Sequence, residues 1–327
     1  MGIFTLKHLR AVDALILIFL LALTFFFMVI GSPGGGGLNL LGVNLAIAAA
    51  IFTLSRAAAS TGNRALGLVR DFYPVPMIFV AFKEVHVVIQ SMDRVDCDAA
   101  FIAIDRWMFG ADPTVWLAQF SHPALTELLQ IAYTSYYFIM IALGVELYRR
   151  DPRGIFSFVI FTITYGFFLS YVGYILFPGV GPRFTLHDFG SLNNELPGLF
   201  LTNFLRDAIN AGESIPPGAA NPLALAQRDI FPSGHTQMTI LTIYFSWKYA
   251  VRSKYVVTVL GTLLIVGTVY LRYHYVIDLA GGAAFLALTV LTAPRLIQYW
   301  EKVLRTTISS LKPDRNPSIT ISVRSFS

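Results

Sequence analysis

The sequence predicts an all-α, polytopic membrane bundle of about eight spans, and three observations predict it. Of 327 residues, 55% are hydrophobic and only 13% are charged, whereas an ordinary soluble domain carries about 25% charged residues. The apolar residues are grouped in runs near the roughly 20 residues that cross a bilayer, and the mean hydropathy is +0.64. Lys and Arg are distributed unevenly among the connecting segments, as in membrane proteins of defined orientation. Cys97 is the single cysteine, so neither an internal disulfide nor a multi-cysteine metal site is expected.

Taken in order, the runs place spans at roughly 11–30, 40–56, 72–91, 125–147, 155–177, 235–251, 255–272 and 275–295. The first follows Lys7 and Arg10 and resembles a secretory leader, but it is too long and lacks a small-residue cleavage site, so a retained span is expected. Lys83, Glu84 and His86 interrupt the third. Between the third and fourth, Phe101, Ile102, Ile104, Trp107 and Met108 suit a helix lying in the interface, with Trp107 as its anchor. The organisation read from this is 1–71 as two added N-terminal helices, 72–300 as a six-helix core, and 301–327 as a disordered cytoplasmic tail.

Seventeen of the 24 Lys and Arg residues fall on the amino-terminal side of these spans. Short cytoplasmic loops carry that excess, so both termini are expected in the cytoplasm, which an even number of spans requires. The net charge of +5 thus reports topology, and no nucleic-acid partner is expected. The same topology puts Arg183, His235 and His274 on one extracytoplasmic face.

Three segments carry chemistry. In Phe231-Pro232-Ser233-Gly234-His235-Thr236, Ser233 suits a helix N-cap and Gly234 permits close approach of a ligand. A helix start of this kind is an anion site, and His235 lies in its first turn. In the second, His274 and Asp278 stand four apart and share a helix face, so the carboxylate can hold one imidazole nitrogen and free the other for attack. A carboxylate entering an apolar span is itself a functional signal. The third, Gly181-Pro182-Arg183, offers a planar fork for phosphate oxygens.

Pro232-Ser233-Gly234-His235 followed by His274-x3-Asp278, with Gly181-Pro182-Arg183 ahead of them, resembles the type 2 phosphatidic acid phosphatase superfamily over about residues 72–295. The resemblance implies His274 as nucleophile, Asp278 as its orienting carboxylate and His235 as general acid. It implies Arg183, Ser233 and Gly234 as phosphate ligands, lipid substrates, and no metal or other cofactor. This sequence departs from the phosphatases' pattern: Leu176 stands where a lysine belongs, Phe184 replaces a proline, and Gly267-Thr268 replace Ser-Arg, which leaves Arg272 as a substitute cation. The residues around His274, those around Ser233, Asp105-x3-Phe109-Gly110 and Ala132-Tyr133-x-Ser135-Tyr136-Tyr137 look more like the branch containing inositol phosphorylceramide synthases and sphingomyelin synthases. That branch implies transfer of a phospho-alcohol headgroup to a lipid hydroxyl. A lipid phosphate phosphatase and, from another class, a transporter remain the alternatives.

Further candidates for headgroup binding are Lys83 and Glu84, which point in different directions on one helix, and Tyr133 and Tyr136. Helix–helix pairing is the competing expectation for the first two, and plain packing for the tyrosines. The 178–232 connection exceeds 50 residues, a length usual for lids and binding loops. Its Leu199, Phe200, Phe204 and Leu205 suit contact with the interface above the site.

Overall fold

The computed structural model describes residues 8–31, 36–92 and 94–310, and every regular element among them is helical. Most of the tail and part of the glycine run at 34–37 lie outside the described residues. Helices α1 (Ala11–Val29) and α2 (Gly36–Thr61) pack against each other. α1 buries Val12, Ile16, Leu20, Leu23 and Phe27, the stripe that a helical period of about 3.6 puts on one face. α2 buries only Gly37, Asn44, Ile51 and Ser55, a narrow seam on an otherwise outward-facing helix.

α3 (Arg64–Phe72) leads into α4 (Pro74–Ser91), and Pro74, which lacks a backbone N–H, suits the first position of the new helix. α5 (Asp98–Phe109) ends at Gly110 in the left-handed region (φ 70°), a residue type suited to a helix stop. α6 (Pro123–Thr134) and α7 (Tyr136–Arg150) form one element bent by 44°. The bend falls at Ser135, whose hydroxyl donates to the Ala132 carbonyl (2.7 Å) and competes with the helix ladder. α8 (Ile155–Leu176) runs through the middle of the bundle, two-thirds buried (67%). After a long connection containing α9 (Thr202–Gly212) come α10 (Gly234–Lys248), α11 (Lys254–Tyr270) and α12 (Val276–Ser310). α12 carries the chain ten residues into the expected tail.

The eight expected spans are shown only in part. Among the described residues, five helices are long and apolar enough to cross a membrane, or six if α6 and α7 count as one broken span. The expected sixth and seventh spans are helices of 15 and 17 residues, α10 and α11. α10 owes its low hydropathy to its place in the bundle: Thr236, Gln237, Thr239, Thr242 and Ser246 are all buried against protein. A helix shielded by its neighbours needs no apolar face for lipid.

The N-terminal pair is tied to the core at the end of the bundle opposite the α10 start. Asp13, fully buried, accepts from the Arg10 backbone (2.7 Å) and the Tyr73 hydroxyl (2.7 Å) and lies 3.7 Å from the Arg70 guanidinium. Arg10 also pairs with Asp71 (2.6 Å), which accepts from Tyr148 of α7 (3.0 Å). Removing one member leaves buried charge uncompensated, at a cost of about 3–5 kcal/mol. Asp13→Ala is therefore expected to lower the thermal unfolding midpoint of the detergent-solubilised protein well below that of the parent. An unchanged midpoint would show that this network does not hold the pair.

Candidate active site

The site forms where the starts of α10 and α12 meet. Ser233 is extended (φ −63°, ψ 102°) and its Oγ accepts from the Thr236 N–H (3.2 Å), the N-cap expected from the sequence. The Ser233 hydroxyl proton remains free to donate. Its backbone N–H donates to the Asp278 carbonyl (2.9 Å), joining the two helix starts directly. Gly281 and Gly282 make this approach possible: a Cβ on Gly282 would stand 2.7 Å from the Ser233 carbonyl oxygen, and one on Gly281 2.5 Å from the Phe231 ring.

The His274 segment is a tight turn between α11 and α12. Arg272 takes a left-handed conformation (φ 69°), and the N–H groups of Tyr273 and His274 both donate to the Thr268 carbonyl (2.9 and 3.0 Å). Asp278, fully buried in the first turn of α12, accepts from the Tyr275 N–H (2.8 Å) and faces His274 Nδ1 at 3.3 Å. His274 is itself only 3% exposed. Its ring centroid lies 5.8 Å from that of His235, so both rings can address one phosphoryl group.

His235 is held on both sides by the bent α6–α7 element. Tyr133 stacks on its ring at 4.5 Å, with its hydroxyl 3.4 Å from Nδ1, and Tyr136 packs at 4.3 Å while donating to the Gly234 carbonyl (3.0 Å). If the Tyr133 hydroxyl accepts from Nδ1–H, Nε2 of the neutral imidazole is left free to take a proton. Tyr133 also stacks on Tyr273 (4.3 Å), and the Arg183 guanidinium lies 5.1 Å above Tyr273. An unbroken column therefore runs from Arg183 through two tyrosines to His235.

Arg183 is positioned by its backbone as well. Gly181 is left-handed (φ 91°), a Cβ there would stand 2.9 Å from the Tyr273 carbonyl oxygen, and the Arg183 N–H donates to the Arg272 carbonyl (3.1 Å). The guanidinium donates to Asn210 (3.1 Å) and to the Glu213 carboxylate, leaving Nε without a protein partner. Arg272, 2% exposed, donates to Glu195 in the same way. Hydrogen bonds from Ser191 and Arg272 hold Glu195 below the ordinary carboxylate range, so it is a counter-charge. Asp229, in the same connection, is raised to about 7 by burial and by the neighbouring Glu213.

Lys83 and Glu84 part company. Lys83 donates to Gly212 O (2.6 Å) and Ser214 Oγ (2.9 Å), flanking Glu213 on the Arg183 side of the molecule. Glu84 turns into the helix packing, accepting from Asn44 of α2 (3.0 Å), and the structure does not bring it to the histidines. Leu176, at the end of α8, supplies no charge, and Thr268 is buried with its hydroxyl on its own helix (Ile265 O, 2.7 Å). Sequence reasoning missed Glu195 and Glu213; the length of their connection was the signal available. It also missed Arg206, buried beside them and donating to Asn193 and to Leu196 O. Among the described residues, no group of three His, Cys, Asp or Glu side chains could hold a metal ion.

The family model of the PAP2 superfamily matches residues 99–292. The chain is also 28% identical, over 172 residues, to a PA-phosphatase related-family protein of Dictyostelium discoideum; the match covers 47% of this chain and 29% of that protein. The chain thus spans less than a third of the relative's length. No solved structure matches significantly.

The close approach of the helix starts yields a stability test. Gly282→Ala would push its methyl against Ser233 O, at about 1–3 kcal/mol for an overpacked site. Thermal unfolding of the purified variant should show that loss, and a midpoint equal to the parent's would mean the helices separate freely.

Proposed function

The chain belongs to the PAP2 superfamily, and from that premise we propose an integral-membrane enzyme that works on lipid phosphates through a phosphohistidine at His274. The observation that carries the reading is the approach of His235 to His274 (5.8 Å between rings), with Asp278 behind the latter at 3.3 Å. In the first step His274 Nε2 attacks phosphorus, the phosphorus–oxygen bond to the leaving group breaks, and His235, entering as the imidazolium, delivers its Nε2 proton to the departing oxygen and is left neutral. Asp278 stabilises the imidazolium that forms, as carboxylates do in catalytic triads. Arg183 and the α10 N-terminus stabilise charge on the remaining oxygens. In the second step an acceptor hydroxyl gives its proton to His235 and displaces His274.

We further propose that the acceptor is a lipid hydroxyl, so that a phospho-alcohol headgroup such as phosphoinositol is transferred, as in the inositol phosphorylceramide synthase-like branch. The charge balance supports this. Arg183 and Arg272 each carry a partnering carboxylate, Glu213 and Glu195. A site neutralised in this way has little attraction to offer a phosphomonoester dianion, whose desolvation costs more than that of a singly charged diester. The second reading is hydrolysis of a lipid phosphate, favoured by the name of the Dictyostelium relative. The placement of the site on the extracytoplasmic face, with both termini cytoplasmic, rests on the distribution of Lys and Arg. A transport pathway through Lys83 and Glu84 gains no support from this arrangement, because Glu84 is engaged by Asn44.

His274→Ala, expressed at parental level, should lose essentially all turnover in detergent or liposomes, and full activity would refute the reading. Given a phosphatidylinositol donor and a ceramide acceptor, the parent should release diacylglycerol beyond one equivalent per enzyme only with acceptor present. Release of inorganic phosphate from phosphatidic acid alone would establish the hydrolase instead. Glu213→Gln should shift preference towards phosphomonoesters, read as a lower inhibition constant for orthophosphate by about tenfold. No change would remove the charge-balance argument.

A further inference from the structure

We infer that α5 is a positioning element, and that its inward residues Asp98, Phe101 and Asp105 set the three chemistry-bearing segments in register. The inference rests on the phosphohistidine reading and goes beyond it, since none of these residues touches the reacting atoms. Positions 98, 101 and 105 lie on one helix face, and that face contacts each segment separately.

Asp105, 2% exposed, accepts from the N–H groups of Val276 (2.8 Å) and Ile277 (2.9 Å), one to each carboxylate oxygen. These are donors of the first turn of α12, left without partners inside their own helix, and the same turn holds Asp278 behind His274. Asp98, 5% exposed, accepts from Val180 N (3.0 Å) and Gly181 N (2.8 Å), the approach to Arg183, and from the Tyr275 hydroxyl (2.8 Å). Between them, Phe101 stacks on Phe231 (5.3 Å) at the α10 cap and packs against Tyr275 (6.0 Å). One helix thus fixes the nucleophile's turn, the arginine's loop and the acid's helix start. The residues of α5 that face outward, Trp107 (84% exposed) and Phe109 (54%), take no part in these bonds.

The division of contacts gives each carboxylate a distinct kinetic signature. Loss of the Asp105 bonds frees the turn carrying His274 and Asp278, so it acts on the attack itself; misplacement of a reacting group by about 1 Å can cost on the order of 100-fold. Loss of the Asp98 bonds frees the Arg183 loop, so it acts on phosphate binding.

The test is rapid-quench, single-turnover trapping of the acid-labile phosphoryl adduct, using phosphatidylinositol labelled at phosphorus in mixed micelles. Asp105→Asn should lower the rate constant of adduct formation by about 10- to 100-fold with near-parental amplitude. Asp98→Asn should mainly raise the lipid concentration giving half-maximal rate. Trp107→Ser, on the outward face, should leave both quantities unchanged. A merely structural Asp105 would reduce the amplitude, which counts folded sites, and leave the rate constant alone; that result, or no change in either, overturns the inference. Absence of any adduct in the parent would refute the phosphohistidine reading, and the inference with it.

Discussion

The site depends on one backbone hydrogen bond, from Ser233 N–H to the Asp278 carbonyl. It joins the starts of α10 and α12, two helices whose first residues are far apart in sequence, and thereby sets one histidine motif against the other. Small residues alone tolerate the approach, which explains Gly281 and Gly282 beneath Phe231 and Ser233. Water cannot substitute for this bond at a fully buried pair of residues, and an unpaired N–H there would carry its full desolvation penalty. The geometry of the candidate site is thus a by-product of satisfying two helix ends that have no solvent.

Around that join, polar contacts divide into two kinds. Carboxylates from neighbouring elements saturate helix N-termini: Asp105 does so for α12, and Glu127 of α6 accepts from the N–H groups of Leu199, Phe200, Leu201 and Thr202 at the approach to α9. Carboxylates from the long connection instead meet arginines, Glu213 on Arg183 and Glu195 on Arg272. The first kind builds the scaffold. The second holds the cations in place without a ligand, at the expense of their attraction for one.

The parts of this arrangement legible in the sequence are those encoded locally. Ser233 before an apolar run reads as a cap, and His274 with Asp278 four residues on reads as a shared helix face, because spacing alone decides both. The helical class followed from composition, and the existence of α5 from its apolar pattern. What spacing does not carry is the direction of a side chain relative to other elements. Lys83 and Glu84 are adjacent, yet one reaches the long connection and the other pairs with Asn44. Nothing in the sequence shows where Asp98 and Asp105 point, and their backbone partners lie more than 80 residues away. The apolar signal is weak at α10 for a related reason: a helix enclosed by protein need not be apolar.

The bend at Ser135 has a consequence for the proton inventory of the proposed reaction. It sets Tyr133 and Tyr136 on opposite sides of the break, so that both rings bear on His235. In the proposed two-step reaction, an imidazole packed by both rings would have to break these contacts to turn over. The nitrogen that releases a proton to the leaving oxygen is then the nitrogen that collects one from the acceptor. Under the proposed mechanism a single proton position is emptied and refilled in each cycle, and the acceptor that displaces His274 refills it.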